Sequence, residues 1–225
     1  MIDSKQFYTK LTPDGLASRK KKVHTQKELS YLIKLLDKKD KILDLACGYG
    51  RFTIPLAKKG YNIEGIDITP SLIKKANQDA KKEKVRINFK IGDMRQLPYK
   101  KDSFDKILCM WSAFIELPKK SDQLKAIKEM KRVLISGGFA LIDMPVPVTK
   151  DMIIDYKEGG DKIIIKKDQK LITNAIIGNI SANPSYRHNK STLTNLMKEC
   201  KIKKFKIFTD KYGGRERFFL QFWKK

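Results

Sequence analysis

The residues best placed to do chemistry form one short run, Asp44-Leu45-Ala46-Cys47-Gly48-Tyr49-Gly50-Arg51, with an acid at its start and two glycines near its end. It falls where a short apolar stretch gives way to a helical one. Glycines at a strand-to-helix turn let the backbone approach a ligand without an intervening Cβ, and the helix start offers unpaired N–H donors. Such turns also serve plain packing, so the reading rests on two further features. Asp67 closes Ile63-Glu64-Gly65-Ile66-Asp67, 17 residues past Gly50, where a carboxylate can accept hydrogen bonds from both hydroxyls of a ribose. Ile91-Gly92-Asp93-Met94 then supplies an acid to meet the amino group of an adenine and a methionine to lie against its face. Together the three describe a nucleoside site.

The elements that must hold these residues alternate along the chain. Leu29, Leu32, Ile33, Leu35 and Leu36 recur at helical spacing behind Thr25 and Glu28, a capping-box pattern, so a helix is expected from Thr25 to Leu36. A buried strand from Lys41 to Ala46 precedes the glycine turn, and a helix runs on through Lys59. Further strands are expected at Tyr61–Asp67, Arg86–Ile91, Phe104–Met110 and Phe139–Met144. Helices are expected at Ser71–Lys82 and Ser121–Leu134, with a turn at Ser136-Gly137-Gly138. Alternation of this kind builds an α/β, doubly wound, mostly parallel sheet with helices on both faces.

After Met144 the rhythm breaks at Pro145-Val146-Pro147. The β-branched runs Ile163–Ile165 and Leu171–Ile177, joined by Lys167-Asp168-Gln169, read as a hairpin lid outside the main sheet. A helix from Ser191 to Cys200 follows. Strands at Lys201–Thr209 and Arg217–Trp223, separated by Gly213-Gly214, read as an antiparallel hairpin at the sheet edge. The expected organisation is one domain over 1–225: helices to 40, a binding core over 41–144, a lid insertion over 145–188, and the last helix and hairpin over 189–225.

Composition limits the function classes. With 41% apolar and 33% charged residues, the chain reads as globular, and no apolar run approaches the roughly 20 residues of a membrane span. The first residues lack a signal-peptide core, so a cytoplasmic protein is expected. Cys47, Cys109 and Cys200 are odd in number and lack metal-ligand spacing, as do the two histidines, and no metal site is expected. The net charge of +24 invites a nucleic-acid partner, but 41 of the 49 basic residues are lysine, the poorer bidentate phosphate ligand. A polyanion partner is therefore not favoured. The expected assembly is a monomer or homodimer.

A dinucleotide site shares the glycine turn and the acid after the second strand, but its fingerprint wants a third glycine where this chain has Thr53. The run Ile42–Arg51 instead resembles the first motif of the class I S-adenosylmethionine-dependent methyltransferases of the small stand-alone type, and Gly65-Ile66-Asp67-Ile68-Thr69 resembles their second. Gly92–Pro98, Phe104-Asp105 and Arg132–Gly138 look like later landmarks, so the resemblance spans about Thr25 to Met144. Departures are Tyr49 for the usual threonine, and Ile135-Ser136 for the usual lysine-proline. The resemblance implies a Rossmann-like seven-stranded sheet and S-adenosylmethionine as cofactor, with S-adenosylhomocysteine as product. It implies cofactor contacts from Asp44, Ala46, Cys47, Gly48 and Gly50, ribose binding by Asp67, and adenine contacts from Ile68, Asp93 and Met94. It also implies that Cys109, Met110 and Trp111 lie beside the methionine half. The buried acid Asp44 would face a cationic ligand.

Methyl transfer from a sulfonium is an in-line displacement, for which alignment in a dry pocket suffices and no catalytic residue is obligatory. Trp111, Ser112, Phe114 and Glu116, after the fourth strand, should face the acceptor, and Tyr186, Arg187 and His188 should reach it from the lid side. His188, Tyr186 and Glu116 are the candidates for acid–base work, although a surface histidine ahead of a helix is the plainer reading of His188. Cys109-Met110-Trp111-Ser112 bears no likeness to Asn-Pro-Pro-Tyr, so amino methylation of bases or glutamine gains no support. The expected activity is methyl transfer to an unidentified small-molecule acceptor. The alternatives are an RNA or other polyanion methyltransferase and a non-catalytic binding module of the same fold.

Overall fold

Strand alternation sorts the core onto two faces of one sheet. The structure, a computed structural model, describes residues 3–18, 22–147, 152–156, 161–165, 176–177, 180–181 and 185–225. Three helices come first, α1 (Ser4–Leu11), α2 (Pro13–Ser18) and α3 (Lys22–Ile33). Then β1 (Lys41–Leu45), α4 (Thr53–Lys58), β2 (Asn62–Asp67), α5 (Pro70–Lys82) and β3 (Phe89–Ile91) alternate. β4 (Phe104–Cys109), a 3-10 turn at Ala113–Glu116, α6 (Lys120–Val133) and β5 (Leu134–Met144) follow. β6 (Met152–Tyr156), β7 (Asp161–Ile165), β8 (Ile176–Ile177) and β9 (Ile180–Ser181) precede α7 (Lys190–Glu199), β10 (Phe205–Tyr212) and β11 (Arg215–Trp223).

The sheet order is β10-β11-β5-β4-β1-β2-β3, with β11 antiparallel to both neighbours and every other pairing parallel. The chain builds outward from β1 through β2 to β3, then reverses to β4 and β5. The crevice beyond the carboxyl ends at that reversal is where open α/β sheets bind ligands. Leu43, Leu45, Ile107, Cys109, Ala140 and Ile142 pack on α6 and α7, while Ile42, Leu108, Leu141 and Phe219 pack with Leu29, Leu32 and Leu56 of α3 and α4. Each such Leu or Ile contributes on the order of 1.5–3 kcal/mol by burial. No helix among the described residues is long and apolar enough to cross a membrane.

Several expected boundaries move for physical reasons. Thr25 lies inside α3 rather than capping it, and Glu28 turns inward to pair with Arg51, because a buried cation outbids a local cap. β3 is shorter than the expected Arg86–Ile91, since an edge strand pairs only with β2, starting where the Asn88 carbonyl accepts from Gly65 N at 3.1 Å. The expected turn at Ser136-Gly137-Gly138 is a bulge within a continuous β5. There Gly137 takes φ +79°, and a Cβ on Gly138 would sit 2.6 Å from the Asp105 carbonyl oxygen. β10 begins at Phe205, four residues past the expected Lys201, and runs on to Tyr212. Outside the main sheet, β6 pairs with β7 and β8 with β9, both antiparallel. Ile163–Ile165 therefore pairs with Met152–Ile154, and Ile176–Ile177 with Ile180–Ser181, rather than with each other; the rest of the expected hairpin, residues 166–175 with the link Lys167-Asp168-Gln169, lies outside the described residues.

Candidate functional site

The turn after β1 is shaped by backbone that few residues tolerate. Ala46, Gly48 and Gly50 take φ of +59°, +57° and +82°, and Cys47 N donates to the Ile66 carbonyl at 3.0 Å, binding the turn to the end of β2. Gly50 is also crowded, because a Cβ there would meet Ile54 at 3.0 Å and Phe89 at 3.1 Å. The Gly48 N–H points at the second-strand acid and donates to Asp67 Oδ2 at 2.9 Å, while Thr69 N donates to Oδ1 at 2.8 Å. Burial pushes the Asp67 carboxyl up, and these two donors oppose the shift. Two backbone donors leave lone pairs on both oxygens, since a carboxylate offers about four acceptor sites.

Asp44 shares a face with Ile42, under α4, by the two-residue period of the strand. Thr53 Oγ1 donates to Asp44 Oδ2 at 2.6 Å. Thr53 thus stands at the third-glycine position as the partner of a buried acid. Complete burial raises the Asp44 carboxyl to about 7, against the Thr53 hydrogen bond and the Arg51 charge, with Asp67 adding to the rise. Arg51 pairs with the buried Glu28, donates to Thr25 Oγ1 at 3.2 Å, and spreads its guanidinium over Phe52 at 3.9 Å and Trp111 at 4.7 Å.

At the tips of β2 and β3, Ile68 and Met94 are half-buried, and Ile91, in register with Asp67, is 55% exposed. This is apolar surface that a flat base would cover. Asp93, expected near the amino group of an adenine, is held by Arg95. It accepts from Arg95 N at 2.8 Å, Nε at 2.9 and 3.0 Å and Nη2 at 2.6 Å, and Arg95 continues to Asp122 at 3.1 Å. Partial burial pulls the Asp93 carboxyl upward, but the Arg95 hydrogen bonds and charge together hold it below the usual range.

Cys109 at the end of β4 and Met110 after it are buried, and burial pushes the thiols of Cys109 and Cys47 up, away from reactivity. Trp111 and Ser112 follow in left-handed conformation, φ +58° and +67°. Phe114 is fully buried, and half-buried Glu116 accepts from Tyr8 of α1 at 3.4 Å. Tyr186 N donates to the Ile115 carbonyl at 2.7 Å, and Arg187 Nη1 to the Val146 carbonyl at 3.5 Å. So Phe114, Glu116, Tyr186, Arg187 and His188 gather at one wall. His188 is not a surface residue: it is 3% exposed, its ring stacked on Phe114 at 5.5 Å and tilted against Tyr186 at 4.6 Å. Its Nδ1 lies 3.3 Å from Thr192 Oγ1, and burial lowers its imidazole to about 3. So weak a base is poorly matched to proton abstraction at neutral pH.

Sequence reasoning missed Tyr8, the Glu28–Arg51 pair and the Asp143–Arg217 pair of β5 and β11. A charged residue inside an otherwise apolar strand was the available signal for the last.

Residues 42–138 match the family model of the methyltransferase domain. The matched stretch runs from β1 to the bulge of β5 and carries the glycine turn, Asp67 and Asp93, so over this core the chain is similar to a methyltransferase domain. Among similar proteins, the demethylmenaquinone methyltransferase of Deinococcus radiodurans is 33% identical over 112 residues, covering 48% of this chain and 45% of that protein. The chain thus spans less than half the length of the curated relatives it matches first. In fold it is similar to an S-adenosylmethionine-dependent methyltransferase of Clostridium acetobutylicum (TM-score 0.67, 17% identity, 89% and 92% of the two chains). It is also similar to the 1,6-didemethyltoxoflavin-N1-methyltransferase of Burkholderia thailandensis, solved with bound 1,6-didemethyltoxoflavin and S-adenosylhomocysteine (TM-score 0.68, 12% identity, 98% and 87%).

Proposed function

We propose that this protein is an S-adenosylmethionine-dependent methyltransferase acting on a small-molecule acceptor. The observation that carries the reading is the 2.9 Å hydrogen bond from Gly48 N to the Asp67 carboxylate at the sheet's switch point. It places an acid with spare acceptor capacity beside a glycine turn. The residues fit the cofactor: Asp67 for the ribose, the exposed Ile91 with Ile68 and Met94 for the base, and the buried acid Asp44 near the cationic half. When bound, the cofactor supplies an electrophilic methyl on a sulfonium.

The chain's own part is orientation and exclusion of water. Gly48 and Gly50 hold the turn open to close approach, and Ala46, Cys47 and Asp44 form its floor. Cys109 and Met110 are buried apolar backing, and Trp111 closes the wall over Arg51. Ser112, Glu116, Tyr186 and Arg187 line the acceptor side, with Phe114 packed behind them. Burial raises the Tyr186 phenol, with Lys120 opposing, so Tyr186 stays protonated at neutral pH and serves as a hydrogen-bond donor. Glu116 is the group placed to take a proton from the acceptor, and His188 packs the wall. The small-molecule acceptors named for the Deinococcus and Burkholderia proteins support that class of substrate.

The test is incubation with methyl-labelled cofactor and a cell extract divided into small-molecule, RNA and protein fractions. Label entering the small-molecule fraction is expected. Label entering RNA, with binding that falls steeply as salt rises, would transfer the reading to a polyanion acceptor.

A further inference from the structure

The carboxyl-terminal hairpin reaches the site through one buried ion pair. Asp143, next to last in β5, is 1% exposed, and Arg217 of β11 is 9% exposed. Arg217 Nε donates to Asp143 Oδ2 at 2.8 Å, and Nη2 pairs with the same oxygen at 2.7 Å. The other carboxylate oxygen, Oδ1, accepts from Ser112 N at 3.2 Å, and Arg217 Nη2 also donates to Ser112 Oγ. Acid and base therefore grip one residue, by its main chain and its side chain.

That residue needs gripping. Trp111 and Ser112 are consecutive non-glycine residues at φ +58° and +67°. L-residues visit this region singly and at a cost, and such conformations persist only where the surroundings over-determine them. The pair also sets where the indole goes, since Trp111 faces the Arg51 guanidinium at 4.7 Å, one residue past Gly50.

Building on the proposed cofactor site, we infer that Asp143 and Arg217 are positioning residues that hold Trp111 and Ser112 in the left-handed conformation. Held so, Trp111 forms the wall beside the methionine half of the cofactor. Neither charge touches the reacting atoms. The hairpin's role in the site is to deliver Arg217, which ties the last strand to the first loop of the acceptor wall.

The test is calorimetric titration with S-adenosylhomocysteine, each variant being checked for folding by its thermal melt. Ser112→Gly adopts positive φ without support, so its affinity stays within about threefold of the parent, whereas β-branched Ser112→Val loses about tenfold or more. Arg217→Met loses about tenfold, and adding Ser112→Gly to it recovers most of the loss, a rescue that a purely stabilising role of the ion pair would not produce. Should Arg217→Met fail to fold, the two Ser112 variants decide alone, because both keep the ion pair. Parental affinity in Ser112→Val, or no recovery in a folded double variant, overturns the inference. A parent chain that binds no S-adenosylhomocysteine overturns the cofactor reading itself, and that outcome is read before any variant is made.

Discussion

Asp44 makes the stability of the ligand-free protein depend on pH in a direction opposite to that of salt-bridged carboxylates, whose pKa is lowered. Its carboxyl stands at about 7 in the folded chain against 3.8 in a model peptide, because burial outweighs Thr53 and Arg51. Between these values the folded state holds a proton that the unfolded state has released, so stability is greatest at low pH and is lost as pH rises toward 7. The slope is about 1.36 kcal/mol per pH unit, which over pH 5 to 7 amounts to about 2 to 3 kcal/mol. His188 works the other way: its imidazole falls to about 3, so its contribution is lost as pH drops below about 6.5. The two slopes partly cancel in the parent chain. Asp44→Asn removes only the Asp44 slope, and the contributions of His188 and of Asp67, whose carboxyl burial also raises, cancel when variant and parent are compared at each pH. We expect the variant to gain about 2 to 3 kcal/mol on the parent between pH 5 and 7 in urea unfolding. In thermal melts that is about 5 to 10 °C. Parallel pH curves for the two proteins would refute the reasoning.

Other expectations follow from single contacts. Asp67→Ala should weaken S-adenosylhomocysteine binding at least about tenfold, as loss of a hydrogen-bonded carboxylate predicts, and unchanged affinity by calorimetry would remove the ribose assignment. Glu28→Ala leaves Arg51 as a buried unpaired cation and should cost about 3 to 5 kcal/mol, read in urea unfolding; a loss under 1 kcal/mol would show that the Thr25 and Trp111 contacts suffice. His188→Gln should leave the pH profile of label transfer unchanged between pH 6 and 9, and loss of a limb in that range would restore His188 as a base.

The central strands were legible because both faces of β1, β4 and β5 are covered, which leaves near-continuous apolar runs. Asp67 was legible for the converse reason, as an acid ending such a run beside a glycine turn. Local patterns misled where a distant partner won. Thr25 and Glu28 match a capping box, yet Arg51, 23 residues on, takes Glu28 into the core. In the insertion the β-branched runs pointed to strands but not to their partners: Ile163, Ile164 and Ile165 pair with Ile154, Ile153 and Met152, a segment outside the hairpin expected from sequence. The Asp143–Arg217 grip on Ser112 joins residues 105 positions apart, and only the sheet order reveals it.

The account stands on a nucleoside held across the carboxyl ends of β1, β2 and β3, and ligand titration tests that most directly. Calorimetry of the intact chain should show saturable, one-to-one binding of S-adenosylhomocysteine and no heat of binding with NAD. Preference for NAD, or silence toward both, would contradict it.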